Sequence, residues 1–338
     1  MTFDPIAADK MMMAEATIRD VARRAEVSVA TVSRALNGFE NVSERARERI
    51  ADAVRDLGYV PHAGARSLSL ARTNAIGVVL PDLHGEFFSE IVRGMDREAS
   101  ARGYLLLLSN LHGGTERAIL ALKAMRGRVD GLVVMAPHLS EEELARALPA
   151  GLPSMLVNTR GLTGQYPAIH LDNFSGVRAV VDHLAGLGRR RLVHIAGPAE
   201  NIDALERADA FRKCAGEHGL ESMIVQGDFE EESGAAAINA LLAAGHRFDG
   251  VFAANDNMAI GALETLRRAG LRVPEDVAVV GFDDIPISAH LGLSTVRVRI
   301  AELGQRALAR LLDGIGGGPQ SGDELHAPEL VIRATTEA

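Results

Sequence analysis

Residues Thr17–Ser43 read TIRDVARRAEVSVATVSRALNGFENVS, and this stretch decides how the front of the chain folds. Thr17 can cap a helix, and Asp20 completes a capping-box pattern in which Asp stands for the usual Glu. Val21, Ala22 and Ala25 then put a small apolar stripe on one face. The helix breaks at Glu26-Val27. Ser28 is a second cap, Val32, Ala35 and Leu36 are the apolar positions of the helix it opens, and Asn37-Gly38 is a stop signal. Two short helices joined by so tight a turn have the spacing of a helix-turn-helix, whose second helix enters the DNA major groove N-terminus first. Ser28, Thr31 and Ser33 are short donors that can reach phosphates or base edges, and Arg34 can bind guanine or phosphate. Val29 and Ala30 are odd residues to leave outside at a helix start, but they suit thymine methyls. The same spacing also suits an ordinary three-helix bundle that never meets DNA.

A third helix runs from the Ser43 cap through Ala46, Ile50, Ala53, Val54 and Leu57 to Gly58, and its apolar face can close a three-helix head. Its charges (Glu44, Arg45, Arg47, Glu48, Arg49) read as a solvated face. Pro61 then blocks any continuation. His62–Ser69 has length for about two helical turns, too few to be stable alone in water, and Gly64 weakens it further. It is either a plain linker or a helix that folds when something orders it.

The 338 residues carry 36 basic and 45 acidic side chains, a balance that taken alone argues against a nucleic-acid partner. The distribution says more. Residues 16–72 hold ten Arg and seven acidic residues, whereas 73–338 hold 25 basic and 35 acidic. A mildly basic head on an acidic body suits a DNA reader whose body stays off the phosphates. Cys214 is the only cysteine, so no intramolecular disulfide or thiolate metal cluster is expected, and its neighbours Phe211 and Ala215 point to a buried thiol. Residues 1–15, with Met11-Met12-Met13, read as a disordered leader. No segment has the length of a membrane span and no signal peptide is visible, so the expected location is the cytoplasm.

From Thr73 the pattern changes. AIGVVLPD, YLLLLSN, DGLVVMAP and PSMLVNT read as buried strands separated by amphipathic helices, which means a parallel sheet with helices on both faces. The pattern repeats through a helix at 174–187, RLVHIAGP, MIVQGDF, DGVFAAND and VAVVGFDD. Two tandem α/β units imply two lobes with a cleft between them. A helix from Ile300 to Asp313 and a last strand in ELVIRATT imply that the chain crosses between lobes more than once. Ligands of open α/β sheets sit at the carboxyl ends of the strands. The polar residues there are Asp82, Asn158-Thr159-Arg160, Asp228, Asn255-Asp256 and Asp283-Asp284. Amides, carboxylates and arginine in one place suit a ligand rich in hydroxyls, and Phe87, Phe88 or Phe229 can stack on a ring. Each Asp can equally be a helix cap. The histidines form no motif, and there is no glycine-rich phosphate loop, nucleophile elbow or metal-ligand spacing. No catalytic residue, metal or cofactor is expected.

TIRDVARRAEVSVATVSRALNG, the RDLGYVPHAGARSL segment, AANDNMAIGAL and VPEDVAVVGFDD, in this order and spacing, resemble the lac-repressor (LacI/GalR) family of bacterial transcription regulators. The resemblance runs from Thr17 almost to the end. It implies a helix-turn-helix head at 16–58, a hinge helix and linker at 59–73, and a periplasmic-binding-protein-like α/β body at 74–338. The lobes are expected at about 74–160 with 297–320, and 161–296 with 321–338. The implied function is a ligand-responsive repressor of carbohydrate-utilisation genes, binding a palindromic DNA operator as a homodimer.

Val29 and Ala30 match the family's base-reading positions. Thr17, Ser28, Thr31, Ser33, Arg34, Asn37, Asn41, Tyr59 and Ala65 match DNA contacts, and Leu68 matches the leucine that wedges into the minor groove. Phe88, Asn158, Arg160, Asn201, Asp203, Arg207, Phe229, Asn255 and Asp283 match effector contacts. Arg207 and Asp283 would grip neighbouring hydroxyls of a sugar, sugar acid or polyol, over a Phe229 platform. The chain departs from the family pattern at Glu26, where the turn usually has Gly, at His62 and Gly64 in the hinge, and in LGLSTV, which lacks the usual prolines. Asn201 and Asp203 differ from purine-binding members, and the tail has no leucine heptads for a tetramer. Two competing readings share the scaffold: an enzyme, or a sugar-binding protein that never meets DNA.

Overall fold

Three helices make the head: α1 (Ile18–Arg24), α2 (Val29–Leu36) and α3 (Glu44–Leu57). The Thr17 backbone N–H donates to the Asp20 carboxylate at 3.0 Å, and Ser28 Oγ accepts from the Thr31 N–H at 3.1 Å, whereas the Ser43 side chain makes no cap hydrogen bond. Gly58 closes α3 with φ of 58°, a left-handed conformation in which a Cβ would be strained. Val21, Ala22, Ala25, Val32, Ile50, Ala53 and Tyr59 form the core. Burying a Val or Ile fully contributes about 1.5–3 kcal/mol, and so few of them hold the head only narrowly folded.

The computed structural model describes residues 16–39, 41–60, 72–111, 115–159, 162, 164–318 and 322–337. The leader 1–15, most of the expected hinge with Ala65 and Leu68, and Arg160 therefore lie outside the described residues. The chain divides into two compact units, Met1–Thr73 and Asn74–Ala338.

The second unit contains two six-stranded sheets. The first has the order β11-β5-β4-β3-β1-β2 and the second β12-β10-β9-β8-β6-β7. In the first sheet the strands are β1 (Ala75–Leu80), β2 (Leu105–Asn110), β3 (Gly131–Val134), β4 (Ser154–Val157), β5 (Ala168–Leu171) and β11 (Glu324–His326), all paired in parallel. In the second they are β6 (Arg191–Ala196), β7 (Glu221–Gln226), β8 (Gly250–Ala253), β9 (Ala278–Asp283), β10 (Ser294–Arg297) and β12 (Glu329–Val331). Only β12 runs antiparallel to its neighbour.

Helices α4 (Glu86–Ala101), α5 (Thr115–Ala124) and α6 (Glu141–Ala147) connect the first strands, and α7 (Asn173–Gly186) opens the second lobe. The second lobe continues with α8 (Ile202–Glu217), α9 (Glu231–Ala243), α10 (Asp256–Arg268) and α11 (Pro286–Leu291), and α12 (Ile300–Ile315) returns to the first. The α4 and α12 backbones nearly touch at Gly94, where a Cβ would lie 1.8 Å from the Ala301 carbonyl oxygen. Gly261 makes the matching approach of α10 to α9, 2.0 Å from the Glu231 oxygen.

Two expectations need correction. β5 and β11 belong to the first sheet, so the first lobe extends beyond 160 and 320, and the chain crosses between lobes at 171–173, 297–300 and 326–329. β2 is an edge strand, not a buried one, and Leu105, Leu107 and Leu108 are exposed. Cys214 is buried, and burial raises its thiol pKa.

Candidate functional site

In the head, Thr17, Ser28, Val29, Ala30, Arg34 and Asn41 are exposed and Thr31, Ser33 and Asn37 half-buried. Val29 is 42% exposed at the α2 start, where an apolar side chain gains nothing from water. The Ser28 and Thr31 hydroxyls are 2.8 Å apart, and Asn37 Nδ2 donates weakly to Ser33 Oγ at 3.4 Å. Arg34 has no partner among the described residues. Tyr59 is packed into the head core and is 8% exposed.

In the body, Phe88, Asn158, Asn201, Asp203, Arg207, Phe229, Asn255 and Asp283 all line one cleft of about 590 Å³ between the carboxyl ends of the two sheets. Arg207, on α8, is buried, and its guanidinium carbon lies 3.7 Å from the centre of the Phe282 ring. Its Nε donates to Asn173 Oδ1 at 2.8 Å, and Nη1 donates to the Ala254 carbonyl. Stacking and two hydrogen bonds fix the planar fork in place. Asp283 ends β9 with φ of 117°, a conformation that favours glycine. Its carboxyl is buried and accepts no side-chain hydrogen bond from a described residue. Burial pushes its pKa well above the usual range, the Arg207 charge opposes this, and Asp256 and Asp203 add to it.

Strained or capped loops carry the other members. Phe229 has φ of 75°, its carbonyl accepts from Asn255 Nδ2 at 2.8 Å, and its ring covers Gly197 so closely that a Cβ there would lie 2.3 Å from it. Asn255 Oδ1 caps α10 through the Met258 N–H at 3.0 Å, and Asn201 Oδ1 caps α8 through the Ala204 N–H at 3.1 Å. Asn158, with φ of 44°, accepts from the Leu171 N–H at 3.0 Å and so ties β4 to the crossover at 171–173. Capping and cleft lining coexist in these residues.

Other strand-end carboxylates separate from the cleft. Asp256 is wholly buried behind it and accepts from Ser288 Oγ at 2.7 Å, the Ile285 N–H at 2.9 Å and the Thr295 hydroxyl. Asp284 is held by Arg297 and Arg333, both at 2.6 Å. Asp82 and Asp228 border the cleft but also bind backbone N–H groups of their own loops. The sequence reading missed Asn173, Glu200, His138 and Phe282. Asn173 was hidden because the four-residue β5 before it gave no clear strand pattern, and Phe282 reads as an ordinary core residue. Burial lowers the pKa of the His138 side chain at the cleft wall.

A model described as bacterial regulatory proteins, lacI family, matches residues 17–62, and one described as a periplasmic binding protein-like domain matches 181–336. The HTH-type transcriptional repressor CytR of Escherichia coli is 34% identical over 333 residues, spanning 96% of this chain and 97% of that protein. The chain belongs to the LacI family. A ribose operon repressor of Halalkalibacterium halodurans is 34% identical over 325 residues, covering 95% of this LacI-family chain and 97% of the relative. Among solved structures, the lac repressor dimer bound to operator and the anti-inducer ONPF aligns with a TM-score of 0.87 at 30% identity, covering 96% of this chain and 99% of that one. A CelR–cellobiose complex aligns with a TM-score of 0.71 at 30% identity, covering 95% and 99%. The LacI-family relatives are transcriptional repressors, and on that evidence this chain is a regulator and not an enzyme. No helix among the described residues is long and apolar enough to cross a membrane.

Proposed function

We propose that the chain represses transcription by binding a two-fold symmetric DNA operator as a homodimer, and that a carbohydrate in the cleft changes its operator affinity. In the head, α2 enters the major groove, with Val29 and Ala30 against base edges and Ser28, Thr31, Ser33 and Arg34 on phosphates or bases. Thr17, Asn37 and Asn41 complete the contact, together with Ala65 and Leu68 from the segment outside the described residues. The relatives support this reading: one is a ribose operon repressor, one structure holds cellobiose, and another holds operator DNA.

The observation that carries the effector assignment is the pairing of Arg207 with Asp283 on the cleft floor. One offers a fixed donor fork and the other a carboxyl without a donor, both buried, so a bound diol or triol satisfies groups that water reaches poorly. The alanine variant Arg207→Ala tests it. Operator binding by fluorescence anisotropy should stay within about twofold of wild type, while the effector-induced change in affinity disappears. Losing a buried, hydrogen-bonded cation also costs on the order of 2–4 kcal/mol of stability, so Arg207→Lys, which keeps charge without the fork, serves as a milder companion. Equal loss of operator binding and effector response in both variants would remove Arg207 from the site.

A further inference from the structure

A second cavity, of about 470 Å³, shares Asn158, Leu171 and Asp203 with the cleft and extends along the crossover at 171–173. Its wall includes Asp203 and Glu206, three residues apart on α8 and so on one helix face. The Asn173 amide donates to both, at 2.8 Å to Asp203 Oδ1 and 2.8 Å to Glu206 Oε2. The other oxygen of each carboxylate has no donor among the described residues, and no described cation lies within ion-pair distance of either. Arg207, next in the chain to Glu206, stacks on Phe282 and donates to Asn173 and Ala254, and makes no ion pair with Glu206. The Lys213 ammonium on the same wall sits over the Phe174 ring, 4.9 Å from its centre.

Two buried polar side chains on the same wall are an independent feature of the place. Thr159 borders this cavity, is only 3% exposed, and its hydroxyl has no hydrogen-bond partner among the described residues. His170 Nε2, on the same wall, is likewise buried without a partner among the described residues. Burial raises the Glu206 pKa, the Asn173 hydrogen bond opposes this, the Asp203 charge raises it again, and Arg207 and His170 lower it. Two adjacent carboxylates partly withdrawn from water, with no ion pair to a described cation, favour a bound cation. No group of three metal-ligating side chains is arranged to hold a metal ion among the described residues. An organic ammonium, with three donors, meets the need instead.

We propose that this cavity is a second compartment of the effector site and takes the ammonium group of an amine-bearing polyhydroxy compound, whose hydroxyls lie beside Arg207 and Asp283. This rests on the effector reading above and narrows it. The described cleft wall adds Asp82, Glu200, Asp228 and Glu230 to Asp203 and Asp283, with Arg207 as its only described Arg or Lys. Such a field favours a cationic ligand over one carrying carboxylate or phosphate groups.

The test uses the full chain, with thermal melting and titration against glucosamine, galactosamine and mannosamine. Each is compared with its N-acetyl form, its neutral parent hexose and its uronic acid. At least one amine should bind about tenfold or more tightly than its uncharged and anionic counterparts, as expected for a charge-assisted hydrogen bond. Glu206→Gln should cut that preference to within about twofold. If Glu206→Gln fails to fold, the wild-type comparison decides, since N-acetylation removes the charge and keeps the ring. A neutral or anionic form binding as tightly as the amine, no binding by any amine, or a preference surviving in Glu206→Gln overturns the inference. A neutral sugar that raises the melting temperature and changes operator affinity would keep the effector reading and sink only this inference. If no carbohydrate of any charge affects either measurement, the effector reading itself fails.

Discussion

Asp256 illustrates how far a single side chain's surroundings control its chemistry. It follows the cleft residue Asn255 as the first residue of α10 yet is wholly enclosed, and burial pushes its carboxyl up to about 7 despite the hydrogen bonds from Thr295, Ser288 and the Ile285 N–H. The folded chain therefore holds a proton at pH values where the unfolded chain, with an ordinary carboxyl near 3.8, has released it. Stability from this group is full below about pH 4 and is lost as pH rises toward 7, by roughly 1.4 kcal/mol per pH unit and about 4 kcal/mol at most. His194 works in the opposite direction: burial lowers it to about 3, so its contribution is present above 6.5 and lost as pH falls. Asp256→Asn isolates the carboxyl, because an amide can face the same partners if the Thr295 hydroxyl rotates. Between pH 5 and 8 the wild-type melting temperature should fall relative to that of Asp256→Asn. Parallel curves would mean that Asp256 titrates like a surface carboxylate. This division was illegible in the sequence, where Asn255-Asp256 and Asp283-Asp284 are equivalent pairs of polar residues after apolar strands. In each pair the first residue reaches the cleft and the second turns away, a choice made by backbone conformation and by partners distant in sequence, such as Thr295 for Asp256 and Arg333 for Asp284.

Elements were easier to read than their partners. Long apolar strands such as β1, β6 and β9 and the amphipathic helices α4 and α12 declare themselves by period. β5, β10, β11 and α11, of three to six residues, are too short to show one, and the lobe boundaries depend on two of them. The turn between α1 and α2 was legible as a break but not as a strained one. Glu26 has φ of 54°, where a non-glycine residue costs about 1–2 kcal/mol. Its ion pair with Arg49, 3.6 Å long and solvent-exposed, returns almost nothing. Glycine relieves the strain but adds freedom to the unfolded chain, so Glu26→Gly should stabilise the head by a net of about 0.5–1 kcal/mol. Urea unfolding followed by helical circular dichroism on residues 16–73 checks this. A loss of stability would show that the turn is relaxed with its native side chain.

At the scale of the molecule, the two units differ in charge as well as in architecture. Residues 16–72 carry a net +3, and 73–338 carry −10. Binding to DNA phosphates releases counterions, so operator affinity should depend steeply on salt through the head. The three larger hydrophobic clusters draw every member from residues 75–330, and the fourth lies wholly in the head. A protein beginning at Asn74 thus keeps both sheets, the cleft and the second cavity, and should fold. It should lose operator binding at every salt concentration while keeping its response to ligand. A ligand at 100 times its dissociation constant stabilises the state it binds by about 2.7 kcal/mol, whether or not the head is attached. The ligand-dependent rise in melting temperature should therefore match that of the full chain to within about 1 °C, measured at equal ligand excess. A rise that vanished on removing residues 1–73 would mean that the head contributes to the ligand site, and the assignment of Arg207 and Asp283 as its principal groups would fall.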